Sequence, residues 1–253
     1  MASEGDLLAA WTREAEAPFS GWDFSRLADR MTTDEPPWSF SDLSRHLLRE
    51  AHAVLDVDTG GGERFALLSG DWPDVVLATE AYAPNVALAR ARLKPLGATV
   101  FDTSRDSARI PLSDGSVDLI LNRHGSIPPT EVARLLTPGG QYLTEGVDAR
   151  WASELVEAFG RSCPAAPTSE SEAASLRSAG LDVVDVRDAE GSLTFTDVDA
   201  IVYYLRAVPW LVPGFGVRED APTLHALQAR LQATGALVFS ARTFLVQARK
   251  TGD

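Results

Sequence analysis

The stretch Val54–Phe65 reads VLDVDTGGGERF: an apolar run carrying Asp56, a turn with Gly60, Gly61 and Gly62, then the start of a helical pattern. In an open α/β sheet, strand, glycine turn and helix in this order bind adenosine-type ligands outside the carboxyl ends of the strands, where strand order reverses. Glycines let the backbone approach the ligand, and the helix N-terminus offers unpaired N–H groups. Asp58 stands where a glycine is expected. A GxGxxG spacing needs glycines at 58, 60 and 63 and finds only Gly60, whereas GxGxG needs 58, 60 and 62 and finds Gly60 and Gly62. The second spacing fits better. Further along, Glu80 closes VVLATEAY, and an ionised carboxylate, having only acceptors, suits the two hydroxyls of a ribose. Asp106, in RDSARIPLSDGSVDLIL, is placed to accept from the exocyclic amine of adenine, and ARLLTPGGQYLTE supplies a helix, a Pro-Gly-Gly turn and a strand.

The elements that must position these residues follow from hydrophobic period. Short β-rich runs at 53–57, 75–79, 98–102, 117–121 and 141–145 alternate with helical patterns, the clearest at Asn85–Leu96 and Thr130–Leu136. Such alternation predicts an α/β fold, a doubly wound and mostly parallel sheet with helices on both faces. Ahead of it, residues 6–50 read as three helices: one with Leu7, Leu8 and Trp11 inward, one capped by Asp23 or Ser25 and running to Met31, and one from Ser39 to Glu50 after Pro36-Pro37. After Trp151 comes a further helix, then a Pro-, Ala- and Ser-rich link. A helix at Glu170–Ala179 ends on Gly180, and a strand follows at Leu181–Arg187. Residues 197–208 and 219–233 read as helices, and 236–250 as a long closing strand. One domain is expected, with a helical cap at 1–50, a ligand-binding core at 51–190, a helical lid at 191–235 and a closing strand at 236–253.

Taken together, the glycine turn, Glu80, Asp106 and the Pro-Gly-Gly turn resemble the class I S-adenosylmethionine-dependent methyltransferases of the small-molecule type, best over residues 50–147. The resemblance implies a Rossmann-like sheet whose C-terminal strand inserts antiparallel to its neighbours, and S-adenosylmethionine as cofactor. By that resemblance Asp56, Thr59, Gly60 and Gly62 line the methionine and ribose end. Glu80 and Ala81 hold the ribose, Asp106 and Ser107 the adenine, and Asn122 sits under the methionine portion. Asp58 departs from the family pattern. Aspartate tolerates left-handed backbone, so the turn survives, but its carboxylate attracts the cofactor's ammonium and sulfonium and repels its carboxylate. A weaker cofactor site is the expectation.

Methyl transfer is an in-line displacement in which the cofactor supplies the electrophile, leaving the protein to align the acceptor and remove its proton. His124, in LNRHG after the fourth core strand, is the best placed base, with Glu145 as a second base or amine-binding acid. Arg123 is a candidate clamp for a substrate carboxylate, or a partner for a neighbouring acid. Trp22, Trp38 and His46 in the N-terminal segment, and Tyr203, Tyr204 and Trp210 before the last strand, are candidate substrate contacts, since rings with polar tips suit flat small molecules. Packing of the added helices is the alternative role for those rings. No acidic run suggests a metal.

Composition narrows the classes. A net charge of −13, from 36 acids against 23 bases, repels phosphate backbones and disfavours nucleic acid as a partner. The single cysteine, Cys163, excludes an internal disulfide, and no Cys/His spacing suggests zinc. Without a signal-like N-terminus or an apolar run long enough to span a bilayer, a cytoplasmic protein with no membrane partner is expected. The activity implied is methylation of an oxygen or nitrogen of a small molecule, with secondary metabolites as one acceptor class. Rivals are a non-methylating enzyme on the same fold, such as a cyclase, and an RNA or protein methyltransferase.

Overall fold

The structure, a computed structural model, describes residues 3–20, 23–162 and 166–252 of the chain, so Trp22 and Cys163 lie outside the described residues. Among the described residues, eight strands form one sheet: β1 (Met31–Thr33), β2 (Ala53–Val57), β3 (Val75–Glu80), β4 (Thr99–Asp102), β5 (Val117–Arg123), β6 (Leu136–Val147), β7 (Leu181–Phe195) and β8 (Leu237–Lys250). Their spatial order is β1-β7-β8-β6-β5-β2-β3-β4. Strands β2 to β6 pair in parallel, and β8 inserts antiparallel between β6 and β7. This is the Rossmann-like arrangement that the alternating runs and the resemblance led us to expect. Because β2 is flanked by β3 on one side and β5 on the other, chain direction across the sheet reverses there. The crevice for a ligand therefore opens at the carboxyl ends of β2 and β5.

The parallel strands are near-continuous apolar runs because helices cover both faces. On one face, α2 (Phe40–Glu50), α3 (Glu63–Ala66) and α4 (Ala83–Leu93) bring Leu48, Phe65 and Leu93 onto Val54, Ala78 and Leu119. On the other, α5 (Pro129–Leu135) and α7 (Ser169–Ser178) set Val132, Leu135 and Leu176 against Leu55, Ile120 and Tyr142. A third core joins α1 (Glu4–Ala15), α6 (Ser153–Ala158), α8 (Val198–Ala207) and α9 (Ala221–Thr234) to the far halves of β7 and β8, around Trp11, Phe195 and Phe239. Local signals start these helices. The Ser39 side chain accepts from Asp42 N–H at the head of α2, and Thr168 with Ser171 forms a capping box at α7.

Two expectations are corrected. The helix read from Asp23 or Ser25 to Met31 is a single 3-10 turn at Ser25–Leu27, broken by Asp29 in left-handed backbone (φ 63°). Met31, Thr32 and Thr33 then pair with Phe195, Thr194 and Leu193 as an edge strand. The strand read as ending at Arg187 continues to Phe195, so the segment read as the start of the lid is sheet. Its polar stretch DAEGS looks like a break in sequence, yet it pairs in register with Ser240–Phe244 of β8. A strand with one wet face alternates polar residues in this way. Among the described residues, no helix is long and apolar enough to cross a membrane.

Candidate cofactor and active site

The glycine turn is built from β2 outward. Asp58 takes left-handed backbone (φ 51°), as the sequence reading anticipated, and its N–H donates to the Thr79 hydroxyl at 3.2 Å. Thr59 N–H donates to the Thr79 carbonyl at 2.9 Å, which ties the turn to the end of β3. Gly62 (φ 81°) heads α3, and a Cβ there would lie 2.8 Å from Leu93 Cγ, so packing as well as backbone conformation calls for glycine.

Glu80 reaches across this turn. One carboxylate oxygen accepts from Gly60 N–H and the other from Tyr82 N–H, both at 2.6 Å, and the residue is buried. Burial pushes its carboxyl up to about 7, with the Asp58 charge reinforcing the shift and the Tyr82 and Gly60 N–H groups opposing it. Enclosure likewise raises Asp56 to about 7, opposed by the Thr59 hydroxyl and reinforced by Asp58 and Glu80. Asp58 is raised too, by burial, although its carboxylate accepts from the backbone N–H of Ser126, at 3.0 Å, and of Ala81. Asp56, Asp58 and Glu80 thus converge at the reversal point, and their own chain's N–H groups hold two of the three.

The loop after β5 closes the other side. Asn122 is buried: its amide accepts from Gly125 N–H at 3.0 Å and donates to the Tyr142 hydroxyl at 2.9 Å. His124, between them, has φ 64°, and its N–H donates to the Glu145 carbonyl at 2.8 Å. Desolvation of the partly covered ring, with Arg123 and Arg64 adding like charge, pushes the imidazole down to about 3, so it is neutral at physiological pH. Glu145 is also buried, and both its oxygens are engaged, one by Trp38 Nε1 and one by Arg123 Nε, each at 2.8 Å. The His124 ring lies 4.0 Å from the same carboxylate. Glu145 therefore ties the N-terminal segment to the end of β5, a role different from the free base or amine-binding acid expected. Arg123 takes the neighbouring acid as its partner and leaves its terminal nitrogens uninvolved in that bond.

Other candidates fall elsewhere. Asp106 and Ser107 sit on the exposed loop after β4, where the Asp106 carboxylate accepts from Ala108 N–H at 3.1 Å and so caps its own turn. His46 is on the solvent side of α2, paired with Glu50 at 3.6 Å, because the inward face of that helix is Phe40, Ser44, Leu47 and Leu48. Tyr203 and Tyr204 belong to the third core. Tyr203 donates to the Pro18 carbonyl at 3.2 Å, and Tyr204 accepts from Trp151 Nε1 at 3.0 Å. Trp210 is exposed just after α8. Sequence reasoning missed Thr79, whose signal was its place immediately before Glu80. It also missed the Ser126 and Tyr82 N–H groups, which as backbone atoms leave no trace in residue type.

No family model and no curated protein matches the sequence. Solved structures do match, and they give the chain the class I methyltransferase fold. A candidate methyltransferase from Bacillus halodurans superposes with a TM-score of 0.60 at 18% identity, covering 84% of this chain and 99% of that one. The YcgJ protein of Bacillus subtilis gives 0.58 at 19% identity over 85% and 99%. The cyclase SpnF gives 0.53 at 16% identity over 100% and 98%.

Proposed function

We propose that the protein is an S-adenosylmethionine-dependent methyltransferase acting on an oxygen or nitrogen of a small molecule, with secondary metabolites the first acceptors to try. The observation that carries this reading is the Glu80 carboxylate on the Gly60 N–H at 2.6 Å, at the strand-order reversal of a class I methyltransferase fold. The ribose end fits the cofactor, since an acceptor-only carboxylate can exchange N–H donors for a ribose diol. The methionine end fits less openly, because Asp58 adds a Cβ and a charge where the glycine pattern leaves bare backbone.

When bound, S-adenosylmethionine supplies an electrophilic methyl group for in-line displacement. Glu80 and Ala81 would hold its ribose, Asp106 and Ser107 its adenine, and Asp56, Asp58, Thr59, Gly60, Gly62 and Asn122 its methionine end. His124, uncharged across the physiological range, takes the acceptor's proton. A base this weak does so as the acceptor becomes acidic on bonding to the methyl group. Arg123, steadied by Glu145, offers its terminal nitrogens to an acidic acceptor, and Trp38 and Trp210 are the ring contacts that remain. The partner set is a small-molecule acceptor without nucleic acid or membrane, in the cytoplasm.

Incubation with S-adenosylmethionine and a broad acceptor panel, read by mass spectrometry, tests the activity. A product heavier by one methyl group supports it. A protein that binds the cofactor yet methylates nothing in the panel supports the second reading, a non-methylating enzyme on this fold, which the Asp58–Ser126 bond favours. Tight, salt-sensitive RNA binding would point instead to a macromolecular substrate, against the net charge of −13.

A further inference from the structure

Asp58 sets a carboxylate just past the carboxyl end of β2, where the fold opens its crevice, and its surroundings say what it does there. Its carboxylate bridges from β2 to the loop after β5 by accepting from Ser126 N–H at 3.0 Å, and it also accepts from Ala81 N–H beyond β3. The loop is packed down on it: a Cβ on Gly125 would meet the Asp58 Cβ at 2.8 Å and Asn122 Oδ1 at 2.7 Å. Backbone N–H groups at such a place are what a ligand carboxylate would seek. Here they already have a carboxylate, supplied by the chain itself. Asp56 and Glu80 lie near enough to Asp58 for its like charge to disfavour their ionised forms, so the acids gather at one point of the cleft.

Resting on the cofactor reading above, we propose that Asp58 makes the cleft select an adenosyl sulfonium whose tail carries an amine but no α-carboxylate. The tail of S-adenosylmethionine brings an ammonium, which Asp58 attracts, and a carboxylate, which must compete with Asp58 for the Ser126 N–H while lying beside a like charge. Removing the ligand carboxylate keeps the attraction and ends the competition. Specificity of this kind comes from a repulsive element built against the alternative ligand. Asp58 is thus a specificity-determining residue rather than a lost glycine.

Calorimetry with S-adenosylmethionine and with decarboxylated S-adenosylmethionine, on the wild type, Asp58→Asn and Asp58→Gly, tests this. The wild type should bind the decarboxylated sulfonium about tenfold or more tightly than S-adenosylmethionine, the scale of one unfavourable charge contact. Asp58→Asn keeps the Cβ and removes the charge, so it should abolish the preference. Asp58→Gly should abolish or reverse it, and circular dichroism checks that both variants fold. A wild type that binds S-adenosylmethionine equally well or better overturns the proposal while leaving the cofactor reading intact, and so does a preference unchanged in both folded variants. Absence of binding of either sulfonium to all three proteins overturns the cofactor reading and the proposal together.

Discussion

Glu80 carries the most quantitative prediction. It has an ordinary carboxyl value of 4.5 in the unfolded chain and about 7 when folded, mainly because burial disfavours its charge. As pH rises through this window, the unfolded chain gives up the proton first. The native state then holds more protons, and stability falls with pH. A shift of that size, at about 1.4 kcal/mol per pKa unit, corresponds to about 3 kcal/mol lost between roughly pH 4.5 and 7, and none further above it. Asp56, also raised to about 7 and coupled to Glu80 by like charge, adds loss in the same direction, so the pair titrates jointly. The Glu80→Gln variant removes one titration and one acceptor. It leaves either Gly60 or Tyr82 N–H less well paired, a cost of about 1–3 kcal/mol at low pH. Denaturant unfolding of both proteins from pH 4.5 to 8.5 isolates Glu80 together with its coupling to Asp56, because acids not coupled to Glu80 cancel in the difference. The wild type should lose its advantage over Glu80→Gln as pH rises, by about 3 kcal/mol across the window. A difference curve flat with pH would refute the reasoning that burial of this carboxylate is what shifts it.

Three further outcomes follow from the site. His124→Ala should lower turnover on the true acceptor by about 10²–10⁴-fold while cofactor affinity holds, and wild-type rates should show no titration of this residue between pH 5 and 8, since it is neutral above about 3. Gly62→Ala should cost about 1–3 kcal/mol from overpacking against Leu93, and adding Leu93→Ala should recover the steric share but not the left-handed backbone strain. Trp38→Phe removes the donor to buried Glu145, a bond to a charged acceptor worth about 1.5–3 kcal/mol, and should raise deuterium exchange in residues 34–39. Unchanged exchange there would mean the bond does not hold the segment.

The parallel half of the fold was legible because strands buried on both faces read as near-continuous apolar runs, as VLDV, VVLAT and VDLIL do apart from Asp56, Thr79 and Asp118. β1 and the far half of β7 were not. Their polar alternation carries meaning only once the partners lie alongside, β7 against β1 and β8 against the far half of β7, and both partners come much later in the chain. Glu80, Asp56 and Asp58 could be placed from sequence because strand ends and glycine turns fix where a short side chain must point. Long side chains gave no such guarantee. Tyr203 and Tyr204 turn into the core between α8 and α1, and His46 turns outward, choices made by packing partners remote in sequence. The engagement of Glu145 by Trp38 was illegible for the same reason: 107 residues separate the partners.

The most direct test is calorimetry of the demethylated product, S-adenosylhomocysteine, against the wild type and Glu80→Ala. Saturable one-site binding to the wild type, weakened about tenfold or more in a folded Glu80→Ala variant, is the predicted result, since the variant loses a charged acceptor for the ribose. Equal binding to both proteins, or binding of neither S-adenosylhomocysteine nor decarboxylated S-adenosylmethionine to the wild type, would contradict a cofactor site built on Gly60 and Glu80.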